Sequence, residues 1–147
     1  MTTSGTTTSS AATVADIYAA FARGDVPAIL DRLSPDVVWD VWDDNFGQRA
    51  GVPHMVERRG RDGVAAFLGV LANYTVQRFD VLDIIGGGRK VVAEVKNAFD
   101  MPGGGRYADE QLHLWTFDED GRVVGFRHYL DTAKHIAATR GEDTTAR

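Results

Sequence analysis

The sequence predicts one α+β domain in which helices come first and long strands follow. Apolar residues recur at helical spacing in the first half of the chain, and glycine-rich turns separate long strand-like runs in the second half. The 147 residues leave room for about one domain. We expect the folded unit to span residues 11–139, between polar tails at residues 1–10 and 140–147 that are predicted to be disordered.

The composition excludes several classes of protein. The chain has no cysteine, so it cannot carry a thiol nucleophile, a disulfide framework or a cysteine-bearing zinc site. Its formal charge of −5 argues against a nucleic-acid partner, which normally requires a basic face. It contains no apolar run of the about 18–20 residues that cross a bilayer and no signal-peptide pattern. We therefore expect a cytoplasmic protein without a membrane partner.

Apolar residues at helical spacing predict three helices in the first half of the chain. Gly24 ends the first helix, whose buried face is formed by Val14, Ile17, Tyr18 and Phe21. Asp25 can cap a short second helix, which the Ser34-Pro35 step ends. A third helix is predicted over about residues 62–73.

Alternating apolar and aromatic runs predict five strands and a terminal helix. The strands are expected at about residues 37–42, 75–85, 90–101, 107–117 and 122–130, and the helix at about residues 131–138. A polar loop fills residues 43–60. Turn residues between the last four strands indicate consecutive antiparallel hairpins. Helices would then pack on one face of a curved antiparallel sheet.

This order of elements resembles the nuclear transport factor 2-like fold, a cone-shaped α+β barrel. Four segments are similar to its SnoaL-like and ketosteroid-isomerase-related members: 18–25 (YAAFARGD), 33–39 (LSPDVVW), 59–67 (RGRDGVAAF) and 121–132 (GRVVGFRHYLDT). The resemblance implies a pocket between the helices and the sheet, catalysis without a cofactor, and a homodimer formed through the outer face of the sheet.

The last hairpin can bring two histidines together. A four-residue connection at residues 118–121 would pair Phe117 with Arg122, and it would set His113 opposite Phe126 and diagonal to His128. A connection of three or five residues would instead separate the two histidines onto opposite faces.

The resemblance implies that this face lines the pocket, with His113 and His128 as its acid–base pair. The ordinary pKa of histidine, about 6.5, suits proton transfer near neutral pH. Trp115 and Phe126 would supply flat apolar walls. The alternative is a pair of buried histidines that only make hydrogen bonds to backbone or hydroxyl partners.

Two further candidates lie one residue away from the positions that the resemblance implies. The general base of ketosteroid isomerases ends the strand that contains Trp39, where a count without gaps reaches Val41 instead of Asp40. Asp40 is therefore either a third catalytic residue or a carboxylate on the opposite, solvated face. Tyr18 and Trp39 are expected substrate contacts, although Tyr18 also fits a core position.

His54 and Asn97 complete the predicted substrate-binding set. His54 lies in a loop that can border the mouth of the pocket, and the alternative is an exposed loop histidine. Asn97 can offer its amide to a substrate or lie on an outer face. No HxH or HxxxH spacing is present, and we predict neither a metal nor a cofactor.

These residues predict a cofactor-independent acid–base enzyme for a small apolar oxygenated molecule. The reaction would be that of an isomerase, a polyketide cyclase or a dehydratase, which is a lyase. One alternative is a non-catalytic module that binds a small ligand or another protein. Another is an epoxide hydrolase, for which Asp109, Arg127 and Asp131 supply the residue types. An open pocket with both histidines inside would favour an enzyme, and a filled cone would favour the module.

Overall fold

The structure is a computed structural model that describes residues 9–146, so residues 1–8 of the predicted N-terminal tail lie outside the described residues. The described α-helices are α1 (Ser10–Ala22), α2 (Val26–Leu30), α3 (Phe46–Arg49), α4 (Gly60–Ala72) and α5 (Thr132–Thr139). The strands are β1 (Leu33–Trp39), β2 (Arg58–Arg59), β3 (Thr75–Gly87), β4 (Lys90–Asp100), β5 (Arg106–Phe117) and β6 (Val123–Tyr129). None of the described helices is both long and apolar enough to cross a membrane.

The six strands form one sheet in the order β2-β1-β6-β5-β4-β3. Strands β3 to β6 pair as consecutive antiparallel hairpins, as predicted. Strand β1 instead runs parallel to β6, so the sheet is mixed rather than purely antiparallel. Turn residues indicate each hairpin, but no local sequence pattern indicates a pairing between strands that lie so far apart in the sequence.

Helices α1 and α4 cover one face of the curved sheet, and this layer holds the main core. The core includes Val14, Ile17, Trp39, Val64, Phe67, Val91, Val95, Trp115 and Phe126. Alternate residues of β4 and β5 are buried, which is the pattern of strands with one covered face. The predicted α+β class and its helix-covered curved sheet are confirmed.

Strand β1 begins and ends earlier than the predicted span 37–42. Its first residues include Pro35, which has no backbone N–H. Pro35 is tolerated there because the register of β1 against β6 shifts between Leu33 and Val38. The strand ends at Trp39 because Asp40 has a φ of 54°, in the left-handed region. The loop that follows contains α3, which Asn45 caps by accepting a hydrogen bond from the Gln48 N–H at 3.1 Å.

The last hairpin has a five-residue connection, so the predicted pairing of Phe117 with Arg122 is wrong. Phe117 pairs with Val123, and the register shifts before Thr116 pairs with Gly125. The extra residue, Val124, forms a β-bulge that restores the alternation. His113 and His128 therefore share the inner face, as predicted, but they are directly opposite each other.

Residues 142–144 pack against the start of β5, although they belong to the tail 140–147 that was expected to be disordered; residue 147 lies outside the described residues. A Cβ on Gly105 would lie 1.7 Å from the carbonyl oxygen of Ala138, so only glycine lets α5 approach this closely. The Arg106 N–H donates to the carbonyl of Glu142 at 3.0 Å, and Thr144 donates back to Arg106 at 2.9 Å. These backbone bonds extend the ordered segment beyond α5.

Candidate active site

Asp40 and His128 form a buried pair where β1 and β6 run side by side. The Asp40 carboxylate is fully buried, and it accepts hydrogen bonds from the backbone N–H of His128 at 2.8 Å and from its Nδ1 at 2.6 Å. An ionised carboxylate can only accept, so the proton of the neutral imidazole lies on Nδ1. The lone pair of His128 is consequently on Nε2.

The left-handed backbone of Asp40 explains why the strand pattern mispositions this residue. In a regular strand Asp40 would face away from the core, because its neighbour Trp39 faces the core. A positive φ breaks this alternation, so the alternative of a solvated Asp40 is wrong. Trp42 donates to the carboxylate at 3.3 Å, and Gln48 donates to the Asp40 carbonyl at 2.6 Å. These bonds offset the about 1–2 kcal/mol that a left-handed residue costs.

His128 is one of the residues that line an open groove of about 560 Å³. The lining of this His128 groove includes Trp42, Asn45, Met55, Leu112, His128 and Thr132. It lies where β6 ends while β5 continues, so the edge of β5 is uncovered there. Nε2 of His128 makes no hydrogen bond with any residue from 9 to 146. Nε2 of His128 is therefore the one ring nitrogen of this residue that is not committed to a partner among these residues.

His113 lies beside His128 but both of its ring nitrogens are occupied. The ring centroids are 5.1 Å apart and the two rings are nearly perpendicular. Tyr18 Oη lies 2.6 Å from Nδ1 of His113, and the side-chain oxygen of Gln111 lies 2.9 Å from its Nε2. Burial and, to a smaller extent, the neighbouring His128 hold the pKa of His113 well below its usual value of about 6.5. His113 is thus a neutral, fully bonded imidazole.

The aromatic residues predicted to contact substrate pack around a separate cavity of about 50 Å³. Trp39, Trp115, Phe126 and Tyr18 all line it, and the rings of Trp39 and Phe126 stack at 4.0 Å. Burial raises the pKa of the Tyr18 phenol well above its usual range. The cavity can hold a few water molecules and is too small for a substrate. A second open groove, of about 600 Å³, shares Phe21, Ile29, Leu68, Leu71 and Phe79 with this cavity, so open space adjoins the aromatic interior as well as His128.

His54 and Asn97 lie in the interior and away from the His128 groove. His54 is buried, because a 3₁₀ turn at Pro53–Met55 folds its loop inward. Both expectations for His54, a residue at the mouth of the pocket and an exposed loop residue, are therefore wrong. It contacts the hydroxyl of Tyr74 at 3.0 Å and Nδ1 of His135 at 2.7 Å. Burial and then the nearby histidines lower its pKa. Asn97 is buried and accepts a weak hydrogen bond from Gln111 at 3.4 Å.

The residues that an epoxide hydrolase relay requires do not come together. Arg127 lies on the other face of the sheet, where it donates to the Val41 carbonyl at 2.9 Å and stacks over Trp42 at 4.5 Å. Asp109 is on the inner face and Asp131 caps α5. The three side chains therefore cannot act on one substrate.

Sequence reasoning missed a buried cluster around Asp109. Its carboxylate accepts hydrogen bonds from His135 Nε2 at 2.8 Å, Gln111 Nε2 at 2.9 Å and the Asp131 backbone N–H at 3.2 Å. Asp109, Gln111 and His113 alternate along β5, so their shared face could be deduced from spacing. His135 lies on α5, whose packing no local pattern indicates.

No group of three or more His, Asp or Glu side chains between residues 9 and 146 is arranged to hold a metal ion. The expectation that the protein works without a metal or a cofactor stays a prediction.

The order of the helices and strands defines a nuclear transport factor 2-like protein, and the comparison with known families agrees. Residues 14–126 match the model of the SnoaL-like domain. The chain therefore belongs to the SnoaL-like domain family. No curated protein sequence matches it significantly.

Several solved structures share this fold. A nuclear transport factor 2-like protein of unknown function from Burkholderia pseudomallei is 27% identical, with a TM-score of 0.70 over 88% of this chain and 95% of that one. A candidate polyketide cyclase from Pseudomonas putida is 20% identical, with a TM-score of 0.66 over 90% of this chain and 98% of that one. An LEH-like epoxide hydrolase from M. tuberculosis is 18% identical, with a TM-score of 0.64 over 90% of each chain. The last two show a common fold only.

Proposed function

We propose that this protein is a cofactor-independent acid–base enzyme that acts on a small, neutral, largely apolar oxygenated molecule. Its reaction would be an isomerisation, a cyclisation of the polyketide type or a dehydration. One observation carries the proposal: His128 is held by Asp40 through Nδ1 at 2.6 Å, its Nε2 has no hydrogen-bond partner among residues 9–146, and His128 is one of the residues that line a groove of about 560 Å³. A carboxylate-oriented imidazole with a free Nε2 is the arrangement of a general base.

His128 would remove a proton from a carbon atom next to a carbonyl group. The proton moves to Nε2, the electron pair of the C–H bond moves onto the carbonyl oxygen, and an enolate forms. Asp40 stabilises the resulting imidazolium, as its carboxylate already contacts Nδ1. Return of the proton from Nε2 to another carbon completes an isomerisation. Attack of the enolate on a second carbonyl group, followed by transfer of the proton from Nε2 to the new alkoxide, completes a cyclisation. Departure of a β-hydroxyl group as water, after it takes the proton from Nε2, completes a dehydration.

The lining of the His128 groove supports the choice of substrate. Its volume falls within the about 300–1,000 Å³ of small-molecule sites, and Trp42 and Met55 supply apolar walls. Asn45 uses its side-chain oxygen to cap α3, so its NH₂ group can donate to a developing oxyanion. Glu94 and Glu110 also line the groove, and they disfavour anionic substrates.

Solved structures with the same fold include proteins named as enzymes. A candidate polyketide cyclase and an epoxide hydrolase have the same fold. Both names describe chemistry on oxygenated organic molecules, which is the class that we propose for this protein. Their low identity gives no support for one particular reaction.

Deuterium exchange tests the proposal before the natural substrate is known. The protein is incubated in D₂O with β-tetralone, an enolisable bicyclic ketone, and incorporation of deuterium is followed by mass spectrometry. We expect catalysed exchange that His128→Gln and Asp40→Asn each reduce by about 100-fold or more. Asp44→Asn is a matched control, because Asp44 lies on the same loop but is exposed and pairs with Arg49.

The results separate the enzyme from its rival. If β-tetralone and a panel of related ketones bind to the folded protein but no exchange exceeds that of His128→Gln, the protein is a non-catalytic binding module. The small size of the aromatic cavity, about 50 Å³, favours that second candidate. Loss of exchange in Asp44→Asn to the same extent as in Asp40→Asn would also contradict the proposed role of the buried pair.

A further inference from the structure

A continuous chain of hydrogen-bonded side chains crosses the interior beneath the His128 groove. Its members, in order, are Trp115, Tyr18, His113, Gln111, Asp109, His135, His54 and Tyr74. The successive donor–acceptor distances are 3.1, 2.6, 2.9, 2.9, 2.8, 2.7 and 3.0 Å. Asp109 stands near the middle, and its ionised carboxylate is the only member that cannot donate.

The first arm of this hydrogen-bonded chain, from Asp109 to Trp115, has one consistent donor-to-acceptor direction. Asp109 accepts from Nε2 of Gln111, so the side-chain oxygen of Gln111 must face His113. That oxygen accepts from Nε2–H of His113, which leaves the lone pair of His113 on Nδ1. Tyr18 then donates its hydroxyl proton to Nδ1, and its oxygen accepts from Trp115.

The second arm, from Tyr74 to Asp109, ends on the same carboxylate. His135 donates from Nε2 to Asp109, so its Nδ1 accepts from Nε2–H of His54. Nδ1 of His54 then accepts the hydroxyl proton of Tyr74. The backbone N–H of Asp131 donates to the same Asp109 oxygen as His135 does. This backbone bond requires an acceptor at that position.

We infer that Asp109 is a positioning residue that fixes His113 as the neutral imidazole with its proton on Nε2. Gln111 transmits this preference, because one end of its amide must donate to Asp109 and the other must accept from His113. The role matters if His128 is the proposed base. A positive charge on His113, 5.1 Å from His128, would repel the imidazolium that forms there.

Replacement of Asp109 by asparagine predicts a reversal of the first arm. The backbone N–H of Asp131 retains an oxygen at the position it contacts, so the new NH₂ group faces Gln111. Gln111 must then turn its amide so that its oxygen accepts from residue 109 and its NH₂ group faces Nε2 of His113. His113 responds by moving its proton to Nδ1.

Long-range ¹H–¹⁵N correlation spectra of the imidazole rings report which nitrogen carries the proton. In the wild-type protein we expect His113 to be protonated on Nε2, and in Asp109→Asn on Nδ1. Tyr74→Phe is the matched control, because it removes only the last hydroxyl of the second arm and should leave His113 unchanged.

Two results would overturn the inference: a wild-type His113 protonated on Nδ1, or a folded Asp109→Asn in which the proton stays on Nε2. If Asp109→Asn does not fold, Gln111→Leu cuts the same connection, and we expect it to populate both tautomers. A single Nε2–H form in Gln111→Leu would also refute the role of Asp109. The spectra need no substrate, so their outcome is independent of the deuterium exchange that tests the proposed function.

Discussion

The Asp40 carboxylate has two separable roles, and two substitutions distinguish them. Asp40→Ala removes every acceptor from His128, whereas Asp40→Asn keeps one oxygen and the shape of the side chain. Asparagine also tolerates the left-handed backbone that Asp40 adopts, with a φ of 54°, better than alanine does. Alanine should therefore lower stability, and asparagine should mainly change the proton on His128.

The structure gives the size of the expected effect. In Asp40→Ala, two donors of His128 lose an acceptor that lies at 2.6 and 2.8 Å, and each unpaired buried donor costs about 1–3 kcal/mol. The left-handed alanine adds about 1 kcal/mol. At about 3 °C per kcal/mol for a chain of this size, we expect the melting temperature to fall by about 10–20 °C. For Asp40→Asn we expect about 1 kcal/mol.

Urea unfolding followed by circular dichroism measures both free energies of unfolding. Imidazole ¹⁵N spectra then show whether His128 in Asp40→Asn moves its proton from Nδ1 to Nε2, because the amide NH₂ group can donate to Nδ1. A stability of Asp40→Ala equal to that of Asp44→Ala would refute this account. So would a folded Asp40→Asn in which His128 keeps its proton on Nδ1.

Three further predictions concern pH, assembly and packing. Because burial lowers the pKa of His113 and His54, the unfolded chain binds more protons than the folded one below about pH 6.5. The free energy of unfolding should therefore fall, as the pH is lowered through this range, by up to about 1.4 kcal/mol per pH unit for each residue. Urea titrations of His113→Gln should show a weaker dependence of that free energy on pH. The resemblance predicts a dimer through the outer face of the sheet, where Leu82 and Ile85 are about half exposed. Light scattering of the wild type should give twice the 16.0 kDa mass of one chain, and Ile85→Asp should lower the measured mass. A mass of 16.0 kDa for the wild type would contradict the prediction. Gly105→Ala should cost at least about 2–3 kcal/mol because its Cβ meets Ala138, whereas Gly103→Ala, in open space in the same turn, should unfold like the wild type.

Periodicity and turn residues predicted the α+β class and most of its helices and strands. The spacing of Val14, Ile17 and Phe21 predicts a helix, and the glycine clusters predict the hairpins, because helix and strand periods and turn conformations are local properties of the chain. The parallel pairing of β1 with β6 was not predicted, since it joins segments that share no turn.

The candidate site was predicted only in part, because small backbone irregularities decide where side chains point. The five-residue turn shifts the register of β6 by one residue, and the bulge at Val124 shifts it back. His113 and His128 therefore share a face, but for a different reason than expected. The positive φ of Asp40 reverses the direction that strand alternation assigns to it. Asp40 is not a glycine, and Gly125, which follows Val124, is the one local residue that could have indicated the bulge.

The interior polar chain required tertiary packing, which the sequence does not reveal. His54 and His135 lie far apart in the chain and meet only because α5 packs on Gly105 and the 3₁₀ turn folds inward. Isolated histidines in a loop and a terminal helix give no signal of this contact. The distinction between one available imidazole and three fully bonded ones therefore comes from the structure alone.

The availability of Nε2 on His128 can be measured with diethyl pyrocarbonate, which acylates unprotonated imidazole nitrogens. Among the four histidines of the chain, His54, His113 and His135 have both ring nitrogens hydrogen-bonded, whereas His128 uses only Nδ1. Peptide mapping by mass spectrometry under native conditions should show that His128 is modified first and that the deuterium exchange disappears in proportion. Modification of another histidine before His128, or full exchange activity after His128 is modified, would contradict its role as the base.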